Sequence, residues 1–327
     1  MFLLRFCLFG GVVVSFLPLL QWLDARLAAF DAFAPQCAAG NLVLVAALLV
    51  FRRRLPSYRG WAIAGLAGAA WSIFAVWPEM TFRAPPVAEG PVLRVTNINI
   101  WWNREDLSEI IDYVSTDSPD LIGLVEVTPK FKPMLAPLKA IYPYSVDCVD
   151  QDPICQTMLL SKLPLRRSFA GPVGPAATYV SEGEIDWRGR TITVTVTHLA
   201  LPSLAPNQPA GEPDVPLLPG TAELRQSQQA AVLARHLAAP ETIDRIVLGD
   251  FNSVPWNPLQ RAFRAATGLE NRGAWAPDWP EWHPVFARIP IDPVFTGGAL
   301  AVRSLKNGPS VGSDHLPVVA EIGLRRE

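Results

Sequence analysis

Four cysteines and four histidines are all that the 327 residues contain, and neither kind clusters. A structural zinc site of the Cys/His type, which needs four such ligands in close array, is thereby excluded. No internal repeat is present, so a solenoid or propeller is excluded as well. Basic runs are scarce: from Ala84 onward they reach only pairs such as Arg166-Arg167, and that region carries 21 Lys and Arg against 27 Asp and Glu. A net charge of −6 without a basic stripe counts against a long nucleic acid as partner. Charge of either sign is rare before Ala84, where 7 basic and 3 acidic residues stand.

What fills that first part is apolar. Half the chain is hydrophobic and its mean hydropathy is +0.22 despite 32 prolines. The excess lies in stretches 6–23, 37–51 and 60–77. A helix crossing hydrocarbon needs ~20 mostly apolar residues, with a lower limit near ~17. The first and third stretches qualify as transmembrane helices, and the second must borrow from residues 33–36. A buried helical hairpin, or a cleaved signal peptide over the first stretch, are the competing readings. Arg52, Arg53, Arg54 and Arg59 crowd the loop between the second and third stretches, whereas the preceding loop holds only Asp24, Arg26 and Asp31. Arginine-rich short loops stay in the cytoplasm. Everything after Trp77 is therefore expected outside it, which in a bacterium means an inner-membrane protein with a periplasmic domain.

The domain boundaries follow: an anchor over residues 1–78, a linker over 79–91 marked by Pro85, Pro86, Gly90 and Pro91, and a catalytic-sized domain over 92–327. Residues 92–100 and 121–125 read as buried strands, 191–197 as a strand with one wet face entered through an Arg188-Gly189-Arg190 turn, and 246–248 and 318–322 as further strands. Residues 105–114 and 223–237 carry helical periodicity. Strands interleave with helices, so the class is α/β or α+β.

Polar groups gather where strands end: Asn99, Glu126, His198, Asp250 with Asn252, and Asp314-His315. Carboxylates and amides are hard oxygen ligands suited to Mg2+ or Mn2+. Histidines at strand ends suit proton transfer and phosphate neutralisation near neutral pH.

These motifs, in this order, resemble the endonuclease/exonuclease/phosphatase superfamily, the DNase I-like proteins. Leu93-Arg94-Val95 leads to Asn99, Asp120 leads to Glu126-Val127, and Thr197-His198-Leu199 follows. Then come Gly249-Asp250-Phe251-Asn252, Ile291-Asp292, and Gly312-Ser313-Asp314-His315-Leu316-Pro317-Val318. The resemblance implies a four-layer sandwich of two β-sheets flanked by helices, here preceded by about three transmembrane helices. It implies Asn99, Glu126 and Asp314 as metal ligands, Asp250 orienting or deprotonating a water, and Asn252 donating to phosphate. His315, oriented by Asp292, would face the phosphate, and His198 the leaving group. Pro293 stands where many relatives have His or Tyr, and Trp101 where DNA-repair members have a second Asp. Asp278-Trp279-Pro280 and the apolar N-terminus look more like a membrane-anchored bacterial branch.

The expected activity is divalent-metal-dependent hydrolysis of a phosphate ester, a lipid head group among the candidates. A tethered nuclease and a catalytically inactive binding module are the alternatives. The expected partners are the bilayer and the ester itself, with nucleic acid less favoured. Residues 201–220 hold six prolines and read as a long loop. Trp256, Trp275, Trp279 and Trp282 read as core packing, with a membrane-facing surface as the other option. Cys148 and Cys155 are the only cysteines of the domain, and an oxidising compartment favours a bond between them.

Overall fold

The computed structural model describes residues 2–326 except 22, 24, 55–56, 175–176, 202–220, 239–243, 272 and 274. The proline-rich 201–220 loop therefore lies almost wholly outside the described residues.

The chain opens with three helices, α1 (Phe2–Phe16), α2 (Ala34–Val50) and α3 (Tyr58–Thr81). Among the described residues, three stretches are long and apolar enough to cross a membrane: Phe2–Leu20, Leu27–Val50 and Tyr58–Thr81. The second reaches that length because a 3-10 segment, Ala25–Phe33, leads into α2. The helices pack through Leu8, Val45, Leu48 and Ala62. A Cβ at Gly65 would lie 2.5 Å from Val45 and 2.8 Å from Leu8, so only glycine allows this approach. Asn41 Nδ2 donates to Ser15 Oγ at 2.9 Å between α1 and α2.

The expected linker is shorter than the prolines suggested. Helix α3 runs through Pro78 to Thr81, since a proline removes one backbone bond and the last turn is fixed instead by buried Glu79, bonded to Arg264 at 2.6 Å. Beyond it, Val87 bridges Arg325, and Ala88 N–H donates to Leu324 O at 2.8 Å. The segment thus lies along the end of the C-terminal strand.

The domain holds strands β1 (Leu93–Asn99), β2 (Leu121–Val125), β3 (Tyr144–Asp147), β4 (Thr157–Ser161), β5 (Arg166–Pro172), β6 (Tyr179–Trp187), β7 (Arg190–His198), β8 (Asp244–Asp250), β9 (Val294–Gly297), β10 (Leu300–Asn307) and β11 (Val318–Leu324). Helices α4 (Ser108–Asp117), α5 (Thr221–Leu237) and α6 (Pro258–Thr267) complete it. One sheet has the order β10-β11-β1-β2-β4-β3 and the other β5-β6-β7-β8-β9. Val95, Val125, Leu159, Val194, Val196, Ile246, Leu248 and Ala320 fill the space between the sheets. Ile98, Leu124 and Ile122 face the opposite way, under Ile110 and Val114 of α4. Phe251, Phe263 and Phe295 pack the outer face of the second sheet with Leu233 and Leu237 of α5. Helix, sheet, sheet and helix therefore form the expected four layers. Burial on both faces explains why β2 reads as a continuous apolar run, and why β1 and β8 carry apolar residues on both faces, Val95 and Ile98 in the first and Ile246, Val247 and Leu248 in the second.

Each sheet contains one parallel pair, β1 with β2 and β7 with β8. Their C-terminal ends meet at one edge of the sandwich. The β6–β7 hairpin turns at Arg188 and Gly189, both at positive φ, as its Arg-Gly-Arg sequence implied. Cys148 and Cys155 are disulfide-bonded as expected, with Cα atoms 5.7 Å apart; the bridge is buried against Tyr179, and the loop it closes exposes Asp150, Gln151 and Pro153.

Candidate active site

Asn99 ends β1, Glu126 follows β2, His198 ends β7 and Asp250 ends β8, opposite His198 in the parallel register. Strand ends leave side chains free of the ladder yet rigidly held, which is why open sheets place their chemistry there. Two of the groups that shape this edge bend the backbone into the left-handed region: Glu126 at φ 63° and Asn252 at φ 48°, with Trp101 at φ 60° beside them. Non-glycine residues adopt such angles only where surrounding bonds hold them there. The holding bonds are visible. Trp102 N–H donates to Glu126 Oε2 at 2.7 Å, Trp101 N–H to Asn99 Oδ1 at 2.9 Å, and Asn252 N–H to Asp250 Oδ1 at 2.7 Å. Gln226 of α5 donates to the carbonyls of Phe251 and Asn252, both at 2.9 Å.

Asp250 Oδ2 is the hub. Asn99 Nδ2 lies 3.2 Å from it and 3.0 Å from Glu126 Oε1, while His315 Nε2 and His198 Nε2 stand 3.8 and 3.9 Å away. Asn99 therefore presents its amide nitrogen to the carboxylates and spends its oxygen on Trp101. Asn252 Nδ2 donates to Leu199 O at 2.9 Å and lies 3.5 Å from His198 Nε2. The ligand atoms of Glu126, His198 and Asp250 lie within 4.8 Å of one another, as do those of Asp250, Asp292 and His315. Asp314 stands in neither group, and its Oδ2 accepts from Trp279 Nε1 at 3.4 Å.

His315 is more tightly held than the sequence implied. Its Nδ1 lies 3.2 Å from Asp292 Oδ2 and also 3.2 Å from Asp278 Oδ2, and all three residues are buried. Burial alone would discharge the imidazole, but Asp292 and Asp278 outweigh it and lift its pKa well above the ordinary value. Burial likewise pushes Asp292 well up, and the neighbouring Asp278 charge adds to it. Asp278 itself is bonded through Oδ1 to Ile291 N–H at 3.1 Å. Ser313 Oγ donates to Asn99 O at 2.7 Å and so ties the last motif to the first.

Burial also raises Asp250 and Asp314, and Glu126 pushes both further in the same direction. Carboxylates crowded at a strand edge, offset by two histidines and a few hydrogen bonds, are what a divalent cation with hard oxygen ligands would relieve. The donor set fits such an ion.

Sequence reasoning missed Asp278 as a partner of His315 and Trp279 as a partner of Asp314. The one signal in the sequence is the Asp278-Trp279-Pro280 tripeptide, whose spacing points to no partner. A functional consequence can be measured. Either carboxylate alone can hold the Nδ1 proton, so Asp278→Asn should lower kcat by ~10-fold with KM nearly unchanged, and Asp292→Asn should do the same. The double variant should be as impaired as His315→Ala; additive, mild losses would show that the pair does not act through His315.

Fold and site together define a phosphoester hydrolase. The chain belongs to the endonuclease/exonuclease/phosphatase family, whose sequence profile matches residues 97–315. Among curated proteins none matches it significantly. Solved structures share the fold: an endonuclease/exonuclease/phosphatase from Bacteroides vulgatus superposes at a TM-score of 0.57 with 14% identity, covering 72% of this chain and 100% of that one. One from Beutenbergia cavernae gives 0.54 with 19% identity and 72% of each chain. Sphingomyelinase C from Streptomyces griseocarneus gives 0.52 with 16% identity, over 71% and 99%.

Proposed function

We propose that this protein is a membrane-tethered, divalent-metal-dependent phosphoester hydrolase with its catalytic domain outside the cytoplasm. The observation that carries the chemistry is the convergence of Glu126, His198, Asp250 and doubly braced His315 on one strand edge. Glu126 and Asp314 are the oxygen donors that would hold Mg2+ or Mn2+. Asn99 would join them only with its amide turned over, since its oxygen serves Trp101. Such an ion supplies charge neutralisation at a phosphate oxygen.

This chain's own residues do the rest. Asp250 orients an attacking water and receives its proton; the water oxygen bonds to phosphorus as the P–O bond to one alcohol breaks. His198, on the opposite flank of Asp250, delivers a proton to the departing alkoxide, so an alcohol and a shortened phosphate ester leave. His315, kept protonated by Asp292 and Asp278, faces the phosphate and offsets its negative charge. Asn252 adds a hydrogen-bond donor beside His198.

Three features support the tether and its orientation. The N-terminal helices are long and apolar enough to cross a membrane. Arg52–Arg54 and Arg59 make the connection between α2 and α3 arginine-rich, which favours the cytoplasmic side for it. The Cys148–Cys155 bond suits an oxidising compartment.

The reading is tested on bis-p-nitrophenyl phosphate, supercoiled plasmid and phospholipid vesicles side by side, with Mg2+ or with excess EDTA. Mg2+-dependent ester cleavage that EDTA abolishes is expected. Full activity in excess chelator would sink the metal dependence, and rapid nicking of plasmid with no action on the others would make the protein a nuclease.

A further inference from the structure

The domain does not hang from its anchor but sits on it. Val254 and Trp256, in the loop that follows Asp250, pack with Ile289 and Ile291 against Ala34 of α2 and Val76 of α3. Trp256 Nε1 donates to Asp31 O at 2.6 Å. Gln36 Nε2 reaches Phe286 O at 3.3 Å and Arg288 O at 3.2 Å, and Arg261 donates to Ala75 O.

The depth of this seat can be read along two helices. Sixteen positions separate Arg52 from Gln36, and sixteen separate Arg59 from Ala75. At ~1.5 Å per residue each is about 24 Å of helix. The hydrocarbon layer is ~30 Å thick, and tilt only shortens the projection. With the arginines at the inner head groups, the level of Gln36 and Ala75 lies at or below the outer head-group boundary. Whatever the domain presents at that level meets lipid.

What it presents is apolar. Trp282, Val285 and Phe286 are 61%, 63% and 77% exposed, in the segment that Gln36 holds. Trp77 of α3, 56% exposed, falls in the same zone, as an interfacial aromatic does. The segment is also the rim of the site: Glu281 N–H donates to Asp314 O at 2.8 Å, and Trp279 Nε1 contacts the Asp314 carboxylate.

We propose that residues 282–286 sink into the outer leaflet and that the site opens onto it, its substrate being the phosphodiester of a phospholipid head group. This rests on the hydrolase reading and goes further in naming the substrate's source. An exposed Trp-x-x-Val-Phe patch would be a liability on a surface facing water, and it is an asset on one facing acyl chains.

The full chain is reconstituted in vesicles containing phosphatidylethanolamine, phosphatidylglycerol and sphingomyelin, and assayed in detergent on bis-p-nitrophenyl phosphate. The combined Trp282→Ala, Val285→Ala and Phe286→Ala variant should keep its rate on the soluble ester and lose ~10-fold or more on vesicle lipid. In a Cys7→Ser, Cys37→Ser background, a fluorophore at Phe286→Cys should be quenched by brominated lipids, and one at exposed Lys139→Cys should not. Equal lipid turnover by the variant, or a label at 286 no more quenched than that at 139, overturns the proposal. Wild-type protein that cleaves the soluble ester but no vesicle lipid overturns the substrate and leaves the hydrolase standing. Cleavage of neither removes the hydrolase reading, and this inference falls with it.

Discussion

Replacing Asp250 by asparagine should lower kcat by ~10²-fold or more without lowering the melting temperature of the metal-free protein. The side chain is buried, and its Oδ2 is the point on which Asn99, His198 and His315 converge. An amide has the same shape and keeps the bond from Asn252 N–H, but cannot take a proton from water. Stability should move the other way. Burial and Glu126 raise the Asp250 pKa, so its ionised form is the one the fold disfavours. That cost develops as pH rises from the ordinary carboxylate value through the raised folded value, and it is fully present above it. The amide never incurs it. His315→Ala should match the loss of turnover. Near wild-type kcat in either variant, measured beside a thermal melt, would mean that the strand edge is not where the chemistry happens.

Gly249→Ala should destabilise the domain by ~4 kcal/mol or more and abolish activity. Gly249 has φ 140°, and a Cβ there would stand 1.8 Å from Thr197 O. The obstacle is backbone on the neighbouring strand, not a side chain that could swing aside. Relief requires β7 and β8 to separate at the very end of their parallel register, where Thr197 pairs with Gly249 and His198 with Asp250. The variant should melt far lower, and what remains folded should not turn over ester. Gly268→Ala is the control: its φ of 70° is strained as well, yet nothing lies within 4 Å of the added carbon, so its loss should be smaller. Equal losses would show that the close approach at Thr197 is not what demands glycine.

The parts of the structure legible in the sequence are those whose signal is local. Strands β1, β2 and β8 are buried on both faces and announce themselves as β-branched and apolar runs. The motif residues stand out in the sequence one by one, and the fold brings Asn99, Glu126, His198, Asp250, Asn252, Asp292 and His315 to one edge. What escaped depends on distant partners. Asp278 meets His315 across 37 positions, brought there by the bridge between Trp279 and Ile289 and by the bond from Leu316 N–H to Asp278 O. Strand β6 hides because Glu182 is accommodated by His236 and by Thr195 at 2.6 Å, a polar arrangement that no alternation of hydrophobicity reveals. The prolines near Pro86 concealed a segment that lies along β11, because its partner is at the other end of the chain. Of the four tryptophans, Trp256, Trp275 and Trp279 pack against the N-terminal helices, as the core reading has it, and Trp282 is exposed.

The position of β11 in its sheet constrains how the protein is made. Among the described residues it is the last strand, and it lies between β10 and β1, while β1 is the first strand to follow the apolar helices. During synthesis β1 emerges early, yet it cannot be paired on its β11 side until more than two hundred further residues have followed. Contacts of such sequence separation form slowly and leave apolar strands exposed meanwhile. The first sheet can therefore close only once the whole domain has been made, and until then the long edge of its first strand stays open.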